Sequence, residues 1–250
     1  MENKPWFFFF SETTSRYRDD TFYCTSKLKF AYLLEQHYSI IKSEILQFIE
    51  QNDSSLVPYF NHELFSGENK WKALSFYFWG VPMSQMAIKS CPKTIDILSQ
   101  IEHVISASIS VIEANTEIRP HYGDTDAIYR CHLPIVVPEG LPYCGFRVAY
   151  EDRPWEEGKL MVFNDAAYHK AWNYTNKRRI ILLIDIVRPE FSNQKLWICA
   201  MVRGNIFWQF ISAKINFLNK KNVFSKMLIL FFTTVIYFKL SLLNRKSAWL

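Results

Sequence analysis

Ile105-Ser106-Ala107-Ser108-Ile109-Ser110-Val111 alternates apolar and small polar residues with a period of two. Successive side chains of a strand point to opposite faces, so this stretch predicts a strand with one apolar face and one serine face. Ile128-Tyr129-Arg130-Cys131-His132-Leu133 repeats the period and places Arg130 and His132 on the same face. Further strands are expected at Gly145 to Tyr150, Lys159 to Phe163 and Arg179 to Ile186. Turns at Pro138-Glu139-Gly140 and Glu156-Glu157-Gly158 separate them. Upstream the period is different. Leu28, Ala31, Leu34, Tyr38, Ile41, Ile45 and Phe48 recur every three to four residues, which predicts one helix over residues 28 to 50, ended by the polar run Gln51 to Ser55. Trp71 to Trp79 is aromatic-rich and strand-like, and Thr94 to His103 is expected to be a helix opened by Pro92 and capped by Thr94. Helices followed by a run of short strands predict an α+β fold with a closed or sandwiched sheet.

Composition narrows the class. With 250 residues and 49% hydrophobic content the chain can bury one sizeable core, and 17% aromatics with only 7 glycines exclude a disordered or linker-rich protein. Five cysteines at irregular spacing, without a CxxC pair, argue against a disulfide framework and a cysteine zinc site. A reducing, cytoplasmic compartment is the simpler expectation, and the first residues lack the apolar run of a cleaved signal peptide. Charge is unevenly spread. No Asp or Glu follows Glu190, whereas nine Lys and Arg do, so the last sixty residues carry +9 of the net +5 and the rest carry −4. That pattern suggests an anionic partner for the tail alone, and not a nucleic acid for the body. Two apolar stretches lie in the tail, Ile206 to Phe217 and Met227 to Phe238. The second is short for a membrane span, so a packed or amphipathic terminal helix is expected, with a membrane-surface helix or a tail anchor as the alternatives.

Two histidines offer chemistry. His121, in Arg119-Pro120-His121-Tyr122-Gly123-Asp124-Thr125, and His169, in Phe163-Asn164-Asp165-Ala166-Ala167-Tyr168-His169, stand 48 residues apart. That separation is too long for a local zinc knuckle and suits ligands on different strands of one barrel. Iron(II) that must bind oxygen needs few protein ligands, usually two imidazoles and a carboxylate. The position two residues after the first histidine is Gly123, which has no side chain to offer. Water or a displaced Asp124 would complete the site, with water preferred. Spacing alone leaves open that either histidine is simply a hydrogen-bonded residue.

Several ordered motifs then resemble one family. Pro120 to Asp126, Tyr129 to Leu133, Trp155-Glu156-Glu157-Gly158-Lys159, Phe163 to Asn173, Arg179 and Asp185 to Glu190 together are similar to the aspartyl/asparaginyl β-hydroxylases. The resemblance runs from about Ser106 to Glu190 and is weaker upstream, around Trp71 to Leu74 and Cys91 to Thr94. It implies a double-stranded β-helix (a jelly-roll or cupin-like barrel) that uses Fe(II), 2-oxoglutarate and molecular oxygen to hydroxylate a C–H bond. The iron ligands carried over are His121 and His169. The 2-oxoglutarate contacts are Ser110, Arg130, His132 and Arg179, and Asp165 becomes a carboxylate that orients a ligand or bound water. Members hydroxylate Asp or Asn side chains, or lipid acyl chains; a peptide or protein substrate is preferred here, with a lipid second. A binding module without turnover is the non-enzymatic alternative. Residues 1–104 are expected to support the barrel, 105–190 to form it, and 191–250 to be the apolar basic tail. Three residues depart from the family pattern: Asp126, Pro134, which cannot donate a ladder hydrogen bond, and Asn164.

Overall fold

The computed structural model describes residues 4–11, 20–67, 70–212 and 223–244. Part of the first apolar stretch of the tail, and the basic residues Lys214, Lys220, Lys221, Arg245 and Lys246, lie outside the described residues.

Two antiparallel sheets face one another as a double-stranded β-helix. Its strands are β1 (Val57–Pro58), β2 (Trp71–Phe78), β3 (Val81–Pro82), β4 (Val104–Ile112), β5 (Thr116–His121), β6 (Ile128–Val136), β7 (Cys144–Val148), β8 (Glu151–Arg153), β9 (Met161–Phe163), β10 (His169–Asn173) and β11 (Arg179–Val187). The larger sheet runs β1-β2-β4-β11-β6-β9 with β3 beside β2, and the smaller runs β5-β10-β7-β8. The sheet therefore begins upstream of residue 105, because β1 to β3 extend its edge.

The alternation read from the sequence decides what each face of the large sheet does. Ala107, Ile109 and Val111 of β4, Cys131, Leu133 and Ile135 of β6, and Ile180, Leu182 and Ile184 of β11 are buried in one apolar cluster. The same cluster takes in Leu34, Ile41, Ile45, Phe48, Ile97 and Leu98 from the helices α1 (Lys29–Gln36), α2 (Tyr38–Asn52) and α4 (Pro92–Ser99). The alternate residues, Ser106, Ser108 and Ser110, Arg130 and His132, and Arg179 and Asp185, face the interior between the sheets. One face thus holds the helices and the other builds a cavity.

The expected single helix over 28–50 is two. At His37 the backbone leaves the helix (φ −95°, ψ 10°), and the His37 ring Nδ1–H donates at 2.9 Å to the carbonyl of Leu33, which also accepts the His37 backbone N–H at 3.2 Å. The expected cap at Thr94 is also revised. Cys91 is the N-cap of α4, with Pro92 in the first turn, and Glu44 of α2 receives the free donors. Lys93 N–H donates to its Oε1 at 3.0 Å, and Thr94 N–H and Oγ–H both donate to its Oε2 at 2.7 Å. A short helix, α3 (Gln85–Ser90), capped by the Ser84 hydroxyl, precedes it. Pro134 causes no rupture. The β6–β11 register shifts between Ile180 and Ile181, which pair with Val136 and Pro134, so a bulge absorbs the missing donor.

The tail forms a helical hairpin, α5 (Lys195–Ser212) and α6 (Val223–Asn244), packed against each other. Helix α5 starts earlier than the apolar stretch at 206 suggested, because Ile198, Cys199 and Val202 pack with Ile206 on Trp79, Ile105, Ala127 and Val187.

The Glu44 cap joins two helices that share the core, so its loss should be felt globally. Glu44→Ala is expected to lower stability by about 1–2 kcal/mol, read as a lower urea midpoint with an unchanged slope.

Candidate active site

His121 closes β5 and His169 opens β10, and the two are directly paired across the smaller sheet, with ring centroids 4.3 Å apart. Each Nδ1 hydrogen-bonds a backbone carbonyl two residues upstream: Arg119 at 2.9 Å for His121, Ala167 at 2.8 Å for His169. A carbonyl only accepts, so each Nδ1 carries the proton and each Nε2 presents a lone pair. Burial lowers both pKa values, that of His169 well below the usual imidazole range, and the two rings and the nearby Arg130 add to the effect. Two neutral imidazoles with fixed tautomers are what a divalent metal requires.

Beside them lies Asp165, fully buried, with Oδ1 3.8 Å from His169 Nε2. Its backbone carbonyl accepts the Gly123 N–H at 2.8 Å, so the turn before β10 is tied to the loop after β5. A Cβ at position 123 would sit 1.8 Å from Asp165 Oδ2. Glycine stands there because the Asp165 carboxylate fills the space a side chain would need. Asp165 Oδ2 is buried with no hydrogen-bond partner, which is costly for a carboxylate unless a cation or a bound water meets it. Asp124, the expected alternative ligand, lines the cavity, and its Oδ1 accepts Asn205 Nδ2–H from α5 at 3.0 Å.

Arg130 is placed differently from a free donor. Its Nη1 meets Asp165 Oδ1 at 2.5 Å, while Nε and Nη2 meet Asp185 Oδ1 and Oδ2 at 2.8 and 3.2 Å. Three of its five N–H groups are therefore committed to carboxylates of the chain. Burial opposes its charge, but Asp165 and Asp185 outweigh that and hold its pKa raised. Burial pushes Asp165 up to about 7; Arg130, shared with Asp185, offsets only part of this, and Asp185 and Asp124 reinforce it. Burial raises Asp124 as well, so a divalent cation between the histidines would favour the ionised form of both carboxyls.

At the far end of the cavity Arg179 is 1% exposed, its guanidinium 4.5 Å over the Trp155 ring. Its Nη1–H reaches the Ser110 carbonyl at 3.4 Å, and its Nε is buried without a partner. Burial draws its pKa down to about 10, so the group is still cationic at neutral pH. The Ser110 hydroxyl accepts Trp71 Nε1–H at 3.1 Å, which leaves its own proton free to donate. Trp155 Nε1–H donates to His132 Nδ1 at 3.2 Å, which places the His132 proton on Nε2. Burial, then the charges of Arg179 and Arg130, hold His132 neutral. The donors of Arg179, Ser110 and His132 can bind carboxylates.

The structure thus brings Ser110, His121, Arg130, His132, His169 and Arg179 around one cavity of about 460 Å³, with Asp165 beside the histidines. Along β11, the six-residue step from Arg179 to Asp185 makes it roughly 20 Å long. The sequence reading missed Trp71 and Trp155 as supports of Ser110 and His132, since an isolated tryptophan carries no local signal of what its indole will meet. Of the departures, Asp126 accepts the Trp6 N–H at 2.8 Å, pinning the N-terminal segment, and Asn164 caps its own turn by accepting Ala166 N–H at 3.0 Å.

A sequence profile described as Aspartyl/Asparaginyl beta-hydroxylase matches residues 35–189. An ornithine lipid ester-linked acyl 2-hydroxylase of Rhizobium tropici is 30% identical over 194 residues, spanning 76% of this chain and 68% of that protein. The aspartyl/asparaginyl beta-hydroxylase of Mus musculus is 29% identical over 168 residues, spanning 65% of this chain but only 22% of the mouse protein. Among solved structures, a Pseudomonas putida prolyl-4-hydroxylase aligns over 64% of this chain and 98% of its own, at 10% identity and a TM-score of 0.47.

The close approach at Gly123 gives a paired test. Gly123→Ala is expected to displace Asp165, costing about 1–3 kcal/mol in stability and weakening divalent-metal binding by about tenfold or more in calorimetric titration. Gly140→Ala, where an added Cβ meets nothing within 4 Å, should change neither.

Proposed function

The chain belongs to the aspartyl/asparaginyl β-hydroxylase family, and from that premise we propose an iron(II)- and 2-oxoglutarate-dependent hydroxylase acting on an acyl chain. The observation that carries the cofactor assignment is the pair of buried, unpartnered atoms in this one region, Asp165 Oδ2 beside the paired histidines and Arg179 Nε at the base of the cavity. Each is an unmet electrostatic demand. The first suits a metal ion or its water, and the second suits a carboxylate. His121 and His169 would hold the iron through Nε2. Arg179 and the Ser110 hydroxyl would take the distal carboxylate of 2-oxoglutarate, and His132 Nε2–H, with what remains of Arg130, the carboxylate nearer the metal. Iron and 2-oxoglutarate, when bound, would supply the oxidant from molecular oxygen, with succinate and carbon dioxide as coproducts. The protein's own contribution is placement. The registers of β5, β10 and β11 fix the metal-facing atoms and Arg179 along one axis, and the buried walls exclude water from the reacting C–H bond.

The substrate choice rests on what lines the rest of the cavity. Phe60, Phe78, Trp79, Met83 and Ile206 line that remainder. An Asp side chain would want a cation there. The two lining cations among the described residues are Arg179, assigned to the cosubstrate, and Arg130, held by two aspartates. An acyl chain asks only for apolar contact. The rhizobial relative's name, a lipid acyl hydroxylase, agrees with that chemistry. A peptidyl Asp or Asn side chain is the second reading, supported by the mouse relative's name and by Ser106 and Ser108, whose hydroxyl side chains line the cavity.

The test is anaerobic addition of iron(II) and 2-oxoglutarate to metal-stripped protein. A visible charge-transfer band is expected in the wild type and absent in His169→Ala. Arg179→Gln should keep metal binding but raise the half-saturating 2-oxoglutarate concentration by roughly a hundredfold. Trp155→Phe, which keeps a ring under Arg179 but removes the donor to His132, should raise it by about tenfold. A folded, reloaded wild type without the band would overturn the assignment.

A further inference from the structure

Helix α6 turns an apolar face outward, toward solvent. Its inward side buries Ile229 and Leu240 together with Ser225 and Thr233, while Phe224, Met227, Phe231, Phe238 and Leu242 on the outer side are between 54% and 63% exposed. Surface helices of soluble proteins show the opposite arrangement, and an apolar face of this length exceeds the scattered hydrophobics expected on a monomer. The segment Val223–Leu243 is long and apolar enough to cross a membrane by length and composition. Its packing nonetheless lays it flat. Phe207 of α5 meets Phe232 at 4.7 Å, and Trp197 meets Tyr237 at 5.9 Å, both in the middle of α6. Between these, Gly204 brings the helices so close that a Cβ there would lie 2.6 Å from Thr233 Oγ1. Helix α5 is in turn packed on the barrel, so α6 is an outer layer along the domain.

The apolar surface runs into the cavity. Val57 and Met83 line it yet are 59% and 54% exposed, which marks its rim. Phe60, also lining it, lies 5.3 Å from Phe210 of α5, and Ile206, one turn earlier, lines it as well. Phe207, beside Ile206, is the residue that meets α6. Charge complements this surface: every ionisable Lys, Arg, Asp or Glu after Glu190 is basic, with Lys214, Lys220 and Lys221 in the sequence before α6 and Arg245 and Lys246 after it.

We propose that the outer face of the α5–α6 hairpin docks on the surface of an anionic phospholipid bilayer, with α6 lying in the interface, and that the cavity mouth opens onto that surface so that acyl chains enter from the lipid. Docking stands on the hairpin; delivery of a substrate rests on the hydroxylase reading above. Apolar residues inserted at the acyl boundary supply binding, and the flanking cations add attraction to anionic headgroups.

The experiment uses the full-length protein and sedimentation with phosphatidylcholine vesicles, with and without phosphatidylglycerol. Binding at least roughly tenfold tighter to the anionic vesicles is expected. Phe231→Glu and, independently, Phe238→Glu should each weaken it by about tenfold or more while the melting temperature is retained. The iron and 2-oxoglutarate absorption band of both variants should match the wild type, so a lost band reports on the active-site reading and lost sedimentation on the docking. Wild type that stays in the supernatant overturns the proposal. So does a self-associated wild type that both substitutions render monomeric, since the face would then be an interface between copies of the chain.

Discussion

Arg130 is shared between two buried carboxylates, Asp185 on the neighbouring strand and Asp165 in the turn before β10, and the placement of the paired histidines follows from that sharing. A buried guanidinium is tolerated only when its charge is met, and removing one partner of such a group is far more costly than the pair is worth. The ion pair reaches across from the large sheet to the turn that delivers His169. The same turn accepts the Gly123 amide, next but one to His121. One cation therefore sets where both histidine strands end. It cannot neutralise Asp124, Asp165 and Asp185 together, and burial raises the pKa of both Asp124 and Asp165, so a cation beside the imidazoles would favour the ionised form of Asp165.

Around that centre, hydrogen bonds to ring nitrogens decide which atoms are acceptors and which are donors. Backbone carbonyls take the Nδ1 protons of His121 and His169 and leave their Nε2 atoms as lone pairs. An indole N–H does the opposite at His132, leaving a proton on Nε2. Three neutral histidines thus divide into two that present a lone pair and one that presents a proton, without any change in charge. Arg179 completes the axis as a cation with no carboxylate of its own, held over an aromatic ring and available to an anionic ligand.

Much of the barrel was legible in the chain because the strand period is local. The serines of β4, and Arg130 with His132 on β6, fall on the cavity face as the alternation predicted. The helix broken at His37 was not legible, since the apolar spacing continues through it and only the backbone dihedrals at His37 depart from the helix. The cap of α4 was misplaced because its acceptor, Glu44, lies about fifty residues away in sequence. Gly123 was read as a missing ligand, whereas its neighbourhood shows a missing space, occupied by Asp165. The start of α5 was hidden for a similar reason: its first turns face a core assembled from β2, β4 and β11.

By itself the sequence determined the period of the strands, the separation of the two histidines, the residues resembling a known family, and the confinement of net positive charge to the last sixty residues. Each follows from backbone geometry or residue identity along a single stretch. The tertiary structure alone decided that Arg130 would be divided between Asp165 and Asp185, that Trp155 would orient His132, and that the helix α5 carrying the apolar outer helix would lie next to the cavity. Those outcomes depend on the register between strands far apart in the chain, and no local pattern encodes which charge, indole or apolar face a distant segment will bring alongside.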